Sequence, residues 1–469
     1  TALLALVLAL AVVEILLPLY DGFLDRPVGF HYLADWPLTL GFVAMAVLAG
    51  ILGGLYPALV LSGFRPSAVL KAGAETGGHA GHLRTLLVVM QFAVSIGLGI
   101  AAMTVYAQID YARKIDLGFS RDNVVVLERG YAFGSADARK SFEDRLAGGP
   151  GIVSVAASSV APLDVMLQGT FVQKTSNAPN ITGRMISIEP DYFRLYGMHL
   201  VAGRTLDVRR GDDAVDPPYP SGDLKDGKNV MIDETMARSL GYTPEEAVGK
   251  DIRVGTIKHS SVRIVGVMGD VKYFGANRSI DPTVYSYKPN MMEVISVRVR
   301  GGQIPQALAF IDKSWHDAIP TVAIRRHFVD DSFDKAFASV DRQGRMFAVF
   351  VAIAIFIAAL GLFGLAAFTV ERHTKEIGLR KVFGASSGDI VRRLLWQFSI
   401  PVLAANLVAW PVAYFYLRHW LEGYAYHISL NPLVFLTAGL AALFVAWATV
   451  IAHAVAVARR NPIEALRYE

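Results

Sequence analysis

The chain of 469 residues contains no cysteine, which excludes disulfide bonds, thiolate metal sites and a cysteine nucleophile. Charged residues are also scarce: they make up 18% of the chain, whereas soluble domains average about 25%. A complete Gly-x-x-x-x-Gly-Lys-Ser/Thr phosphate loop is missing. We therefore expect no ATPase activity and no bound cofactor on this chain, and any nucleotide-driven work is expected to come from another chain or from a part of the protein that precedes Thr1.

Long hydrophobic runs account for much of the composition. Hydrophobic residues make up 53% of the chain, and the mean hydropathy is +0.39. A run of roughly 20 apolar residues is long enough to cross a bilayer. The sequence predicts six such spans, at residues 2–19, 37–61, 85–106, 344–370, 394–417 and 432–457.

Basic residues are concentrated in alternate loops. The loops 62–84 and 371–393 and the tail 458–469 are rich in arginine and lysine, whereas the short loop 20–36 is acidic. Because basic loops stay in the cytoplasm, the C-terminus is predicted to be cytoplasmic. The large polar region 107–343 is then extracytoplasmic.

This polar region has the patterns of a mixed α/β domain. The stretch 294–300 alternates and predicts a half-buried strand, with Ile295, Val297 and Val299 on one face. Residues 304–315 show helical periodicity. The loop 211–227, rich in proline, glycine and aspartate, is predicted to be irregular and to divide the domain into two lobes. Two more continuous strands are predicted at 123–128 and 262–271.

Two histidines, His79 and His82, form a His-x-x-His pair in a glycine-rich stretch. A zinc site needs a fixed geometry and further ligands, and only Glu75 is near in sequence. A flexible cytosolic linker is therefore the preferred interpretation, and no metal is expected. A membrane-embedded enzyme acting at these histidines or in the outer domain is the least supported hypothesis.

The segment 371–394 combines alternating charge with a short apolar stripe of helical spacing, formed by Ile377, Leu379, Val382 and Phe383. Such a helix could lie in the lipid interface, serve as a solvated connector or insert into a groove on a soluble partner. Its mixed charge favours the partner over anionic lipid. Gly384 suits a left-handed helix stop, and Ser387 or Asp389 is predicted to cap the next helix.

The stretch ERHTKEIGLRKVFGASSGDIVRRLLWQFSI (371–400) resembles the cytosolic signature of the FtsX-like/MacB-type permeases of ATP-binding cassette transporters. The outer region is similar to that family's periplasmic core over residues 91–119, 229–254 and 262–275. The core of the signature is Glu376, Ile377, Gly378, Arg380, Lys381, Gly384 and Ala385.

The resemblance implies an α-helical membrane protein with a large α/β extracytoplasmic domain of the MacB periplasmic-core type. It divides the chain into the last two spans of a first FtsX-like unit (1–61), a cytosolic linker (62–84), a span (85–106), the extracytoplasmic domain (107–343), a three-span domain (344–457) with a coupling helix (371–386), and a cytosolic tail (458–469). In an eight-span fusion, a first outer domain and a first signature helix are expected to precede Thr1.

The resemblance also implies a function. A permease of a bacterial plasma (inner) membrane would dock its coupling helix into a separate ATPase subunit and transmit motion to its outer domain. Nucleic acid is not an expected partner. The transported substrate would be a peptide, a drug or a lipoprotein, and an extracytoplasmic adaptor or an outer-membrane component is a further expected partner. The alternative is a non-transporting scaffold that regulates a cell-wall hydrolase or a sensor kinase. The implied docking residues are Glu371, Arg372, Lys375, Glu376, Ile377, Gly378, Leu379, Arg380, Lys381, Phe383, Gly384 and Ala385.

Overall fold

The computed structural model describes residues 2–24, 34–62, 78–163, 168–214, 224–256, 259–276, 278–372, 383 and 386–458. Two compact units can be distinguished. One comprises residues 96–352 and 407–440, and the other contains the remaining described residues. The first of these units holds the whole α/β domain.

The elements follow one another in this order. Helices α1 (Ala2–Leu24), α2 (Trp36–Ser62) and α3 (Gly78–Lys114) come first. The α/β domain then comprises β1 (Val124–Leu127), α4 (Ala136–Ala147), β2 (Ile152–Ser158), β3 (Gln168–Gln173), β4 (Ile181–Ser187), α5 (Tyr192–Tyr196), β5 (Leu200–Gly203), β6 (Lys228–Asp233), α6 (Glu234–Ser239), α7 (Pro244–Ala247), β7 (Asp251–Gly255), β8 (Ser260–Met268), β9 (Thr283–Ser286), β10 (Val294–Val299), α8 (Ile304–Ala318) and β11 (Arg326–Phe328). Helices α9 (Val329–Arg372), α10 (Ser387–Leu421) and α11 (Pro432–Ala458) complete the described chain.

Four of the six long helices contain a described stretch that is long and apolar enough to cross a membrane. These stretches confirm the third to sixth predicted spans. In α1 and α2 the apolar stretches whose side chains are described are shorter, Ala2–Ile15 and Trp36–Ile51. Each of the first two predicted spans lies within one helix, but that they cross the membrane stays a prediction. The four confirmed stretches are Thr85–Lys114, Arg342–Ala367, Gly388–Leu421 and Pro432–Ile451.

The first lobe of the α/β domain is a four-stranded antiparallel sheet in the order β11-β1-β10-β2. Helices α4 and α8 cover one face with Phe142, Ile311 and Trp315. Ile304 and Leu308 join the same cluster, which confirms the predicted periodicity of α8.

Strand β10 is buried on both faces, so the predicted half-buried strand is wrong. Ile295 and Val297 pack under α4 and α8 as expected. Helix α5 covers the opposite face, where the hydroxyls of Tyr196 and Ser296 lie 2.8 Å apart and Ser296 is fully buried. The alternation of apolar and polar residues in β10 therefore has another cause: the face that carries Ser296 is polar but buried, and its polar groups form hydrogen bonds within the protein instead of meeting water.

The second lobe is a closed six-stranded barrel. Its strands follow the order β8-β6-β9-β4-β3-β7, and β7 pairs again with β8. Strand β8 is nine residues long, so its far end also pairs with the short strand β5. Closure leaves no long unpaired edge on these strands, and an unpaired edge is a template for aggregation.

The loop 211–227 does not divide the lobes, contrary to the prediction. It joins β5 to β6, and both of these strands pair with β8 in the barrel. The lobes are instead interleaved along the chain, because all the barrel strands come after β2 and before β10 in the sequence. The chain therefore passes from the first lobe to the second after β2 and returns to the first lobe before β10.

Candidate functional site

The predicted coupling segment, residues 371–386, connects α9 with α10. Glu371 and Arg372 are the last residues of α9. Phe383 and Ser386 are described at the other end of the segment. The predicted coupling helix and its stop at Gly384 therefore stay predictions. The docking residues outside the described part of the chain are Lys375, Glu376, Ile377, Gly378, Leu379, Arg380, Lys381, Gly384 and Ala385.

Phe383 is the predicted docking residue whose side chain the structure describes. The phenyl ring is 81% exposed and lies four residues before the start of α10. Burying a phenylalanine side chain stabilises a complex by about 1.5–3 kcal/mol. Because most of this ring is unburied in the chain alone, a partner that covers it would gain most of that free energy.

The start of α10 is fixed by a reciprocal cap between Ser386 and Asp389. The Ser386 hydroxyl accepts from the Asp389 amide at 3.2 Å. The Asp389 carboxylate accepts from the Ser386 amide at 3.2 Å and from its hydroxyl at 2.6 Å. The cap is therefore Ser386, not Ser387 or Asp389 as predicted, because Ser386 and Asp389 have the three-residue spacing of a capping box.

Helix α9 extends without interruption from the α/β domain to the coupling segment. It starts directly after β11 and contains 44 residues, which gives a length of about 66 Å at 1.5 Å per residue. Arg121 holds its first turns, with Nε 3.1 Å from Asp330 Oδ1 and the guanidinium 3.8 Å from the centre of the Phe333 ring. The sequence of residues 330–347 predicts a domain helix that continues into the fourth span, and the structure confirms this prediction.

A buried glutamine joins α3 to the loop between α10 and α11. Gln108 is 1% exposed. Its Nε2 donates to the Tyr426 carbonyl at 3.0 Å, and its Oε1 accepts from the Ile428 amide at 2.9 Å. One side-chain amide thus satisfies two backbone groups of a loop more than 300 residues away.

The same loop is attached to the α/β domain. The Tyr426 amide donates to the Ala276 carbonyl at 3.2 Å, and its ring packs on the main domain core with Lys272 Nζ 5.3 Å from its centre. Lys272 also donates from Nζ to the Asp116 carbonyl at 2.6 Å. We call Gln108, Lys272, Ala276 and Tyr426 the joint; it connects the end of α3, the domain and the α10–α11 loop.

Gly118 allows the chain to pass close to the backbone at Asp270 and Val271, just before Lys272 of the joint. Its φ is +78°, and a Cβ there would overlap the Asp270 carbonyl oxygen. We expect Gly118→Ala to lower the free energy of unfolding by about 3 kcal/mol, from left-handed strain and from displaced backbone. Thermal unfolding of the purified chain measures the loss.

Gly134→Ala is the matched control for this prediction. Its φ is +73° with no atom within 4 Å of the added Cβ, so only the strain of about 1–2 kcal/mol is expected. Equal shifts for the two variants would show that the approach to Asp270 is unimportant.

Two carboxyl groups are buried together, that of Glu143 in α4 and that of Glu189. Glu143 is 2% and Glu189 5% exposed. Arg139 Nε donates to Glu143 at 2.9 Å, and the Ala157 amide donates to Glu189 at 3.0 Å. Burial, followed by the Glu189 charge, raises the pKa of Glu143 from 4.5 to about 8, although Arg139 and Lys140 oppose this shift. Glu143 therefore holds a proton at neutral pH.

The proton on Glu143 makes domain stability depend on pH. Between pH 4.5 and about 8 the folded chain keeps a proton that the unfolded chain has released, so stability is greatest at the acid end and falls as pH rises, by up to about 1.4 kcal/mol per pH unit. Glu143→Gln is expected to reduce this slope, as measured by unfolding of the purified chain at a series of pH values. Asp144→Asn, at an exposed neighbour, should leave the slope unchanged, and equal slopes in all three proteins would refute the assignment.

The structure places the histidine pair and a Gly-Lys pair at the starts of secondary-structure elements. Helix α3 begins at Gly78, so His79 and His82 belong to its first turns and not to a linker as predicted. Within the described ranges no group of three metal-ligating side chains comes together. The Gly-Lys pair Gly249–Lys250 directly precedes strand β7 (Asp251–Gly255), whereas a phosphate loop must open a helix.

The joint was missed by sequence reasoning. Gln108 lies two residues after the predicted span 85–106, at the start of the region predicted to be polar, so a glutamine there is not a signal. Nothing in the local pattern indicates that its partner is the backbone around Tyr426.

Comparison with known families identifies two domains in the chain. The family described as MacB-like periplasmic core domain matches residues 88–310. The family described as FtsX-like permease C-terminal matches residues 348–462.

Curated relatives include macrolide export ATP-binding/permease proteins. MacB 1 of Yersinia pestis bv. Antiqua (strain Antiqua) is 21% identical over 416 residues, which cover 83% of this chain and 59% of the relative. MacB 2 of Aeromonas hydrophila subsp. hydrophila is 26% identical over 290 residues, 58% of this chain and 40% of the relative. The chain thus spans at most about three-fifths of the length of these relatives.

Two solved structures are similar to part of this chain. The periplasmic region of MacB from Actinobacillus actinomycetemcomitans is 15% identical and covers 46% of this chain and 94% of its own, with a TM-score of 0.32. The extracellular domain of the noncanonic ABC-type transporter YknZ from Gram-positive bacteria is 16% identical. The match covers 44% of this chain and 100% of the YknZ domain, with a TM-score of 0.30.

The two matched domains occur in the order that the sequence resemblance implies. Along the chain, membrane-spanning helices come both before and after the extracytoplasmic α/β domain. The chain therefore belongs to the FtsX-like/MacB-type permeases of ATP-binding cassette transporters.

Proposed function

We propose that this chain is a permease subunit that converts ATP hydrolysis on a separate ATPase subunit into movement of its extracytoplasmic domain. ATP and Mg²⁺ bind to the ATPase in this proposal, and the coupling segment 371–386 docks on it. Ile377, Leu379 and Phe383 form the apolar contact, and Glu376, Arg380 and Lys381 form its polar rim.

The uninterrupted helix α9 carries the proposal. One end follows β11 of the α/β domain directly, and the other end is the first part of the coupling segment. A helix bonded at every turn transmits a displacement along its axis better than a flexible linker can. The exposed ring of Phe383 supports a partner at the coupling end.

The joint offers support from a second direction. A displacement of the α/β domain must either carry the α10–α11 loop with it or break the hydrogen bonds of Gln108 and Tyr426. The domain and this loop therefore move as one body in the proposed cycle.

The proposed setting is a bacterial plasma membrane, with the α/β domain outside and the C-terminus in the cytoplasm. The transported substrate is a peptide, a drug or a lipoprotein that is exported or extracted; the printed names of the curated relatives refer to macrolide export. An extracytoplasmic adaptor or an outer-membrane component is the further partner in this proposal. The first two helices are proposed to be the end of an earlier FtsX-like unit.

Co-purification with the cognate ATPase tests the proposal. The permease should retain the ATPase, and the purified complex should hydrolyse ATP faster when the correct peptide, drug or lipoprotein is added. Retention with turnover that no substrate changes, together with recruitment of a hydrolase or kinase, would favour the scaffold. Failure of the membrane-inserted permease to retain any ATPase would contradict the proposal.

A further inference from the structure

A cavity of about 840 Å³ lies between the start of α10 and helix α11. Among the described residues, its polar and aromatic lining consists of Asp389, Arg392, Arg393, Trp396, Ser399 and Trp447. Both arginines are exposed, and the exposed fractions of Trp396 and Trp447 are 68% and 40%. Guanidinium groups and large indole rings thus share one accessible surface.

The lining changes in chemical character along α10. Arg392 and Arg393 lie in the second turn, Trp396 lies one turn further, and Ser399 follows after almost another turn. At 1.5 Å per residue, the distance from Arg392 to Ser399 is about 10 Å. The headgroup region of each leaflet is about 5–7 Å thick, so this distance passes from the headgroups into the upper acyl chains.

Trp447 is held in a defined orientation at the deep end of the cavity. Its Nε1 donates to Ser399 Oγ at 2.9 Å, and Ser399 Oγ donates to the Leu395 carbonyl at 2.7 Å. The indole N–H therefore has its partner within the protein, and the exposed part of the ring offers apolar surface. Tryptophan at this level is typical of the membrane interface.

The one carboxylate in the lining, Asp389, is already engaged. It accepts the amide and hydroxyl hydrogens of Ser386 in the cap of α10. Two arginines against one capped carboxylate leave the cavity with a net positive charge, which complements an anion.

We propose that this cavity binds one anionic phospholipid, with the phosphate at Arg392 and Arg393 and the upper acyl chains against Trp396 and Trp447. A membrane lipid fits the observations better than a soluble anion because the aromatic surface lies deeper along the same helix than the charges do. Basic pockets between membrane helices on the cytoplasmic side bind anionic headgroups in this manner. The proposal does not depend on the export function.

Quenching of tryptophan fluorescence by brominated lipids tests this site. The full chain is reconstituted in phosphatidylcholine vesicles with a minor fraction of brominated phosphatidylglycerol or, in parallel, of brominated phosphatidylcholine. The Trp396 signal is the difference between wild type and Trp396→Phe. We expect brominated phosphatidylglycerol to quench it at lower lipid fractions, and Arg392→Gln with Arg393→Gln to weaken this preference by about fivefold for each arginine.

Arg418→Gln is the matched control, since Arg418 is an exposed arginine at the opposite end of α10, and it should keep the full preference. Excess inorganic phosphate at constant ionic strength should not relieve the quenching. Equal quenching by the two lipids, an unchanged preference in the double variant or displacement by free phosphate would each overturn the proposal.

Discussion

Phe383→Asp is expected to reduce retention of the ATPase subunit by about 30-fold or more while the permease still inserts and folds. The phenyl ring is 81% exposed in the chain alone, so its loss removes little packing within the permease. In the proposed complex the ring is an anchor, and truncation of such anchors costs about 2 kcal/mol or more. Aspartate adds the cost of burying an unpaired charge. Co-purification of the two subunits from membranes measures the effect.

Tyr131→Asp provides the control for this prediction. Tyr131 is another strongly exposed aromatic residue, at 69%, but it belongs to the α/β domain. It should leave ATPase retention unchanged, whereas Arg380→Glu should act in the same direction as Phe383→Asp. If both coupling-segment variants retain and couple the ATPase normally, the docking assignment is wrong.

Gln108→Ala is expected to leave ATPase binding intact but to uncouple it from movement of the α/β domain. The substitution leaves the Tyr426 carbonyl and the Ile428 amide without their partner, and an unsatisfied buried group costs about 1–3 kcal/mol. We expect the ATPase to remain bound, hydrogen exchange in the loop 422–431 to accelerate by at least about tenfold, and stimulation of ATP turnover by substrate to be lost. Hydrogen exchange and turnover are measured on the same complex.

Two further variants are compared with Gln108→Ala, one that keeps part of the interaction and one that serves as a control. Gln108→Glu keeps an acceptor for the Ile428 amide but loses the donor to Tyr426, so an intermediate exchange rate is expected. Gln397→Ala, at an exposed glutamine of α10, should behave as wild type. Normal exchange and normal stimulation in Gln108→Ala would show that the joint plays no part in transmission.

The helical part of the molecule was largely predictable from the sequence. A run such as residues 432–457 has no other stable state than a helix in lipid, because its backbone groups must bond to one another. Helix α9 could likewise be predicted, since helical periodicity before residue 344 continues into an apolar run. The exposed Phe383 follows from the position of its apolar stripe beside charged residues at the end of a span.

Long-range pairing was not predictable in the same way. Closure of the barrel depends on β8 pairing with β6, β7 and β5, and no local pattern shows which strands meet. Burial of Ser296 depends on the distant Tyr196. The Gln108 joint depends on a loop 318 residues further along the chain. In each case the decisive partner is fixed by the tertiary fold, and a sequence window shows only one of the two sides.

Energy transfer between the α/β domain and the membrane surface tests the central claim, that ATP turnover moves this domain, most directly. The chain has no cysteine, so Lys313→Cys, at an exposed position of α8, gives a single site for a donor dye. The reconstituted complex carries acceptor-labelled lipids. The transfer efficiency should change when ATP is added and should not change in the Phe383→Asp variant. An efficiency that stays constant while the bound ATPase turns over ATP would contradict the account.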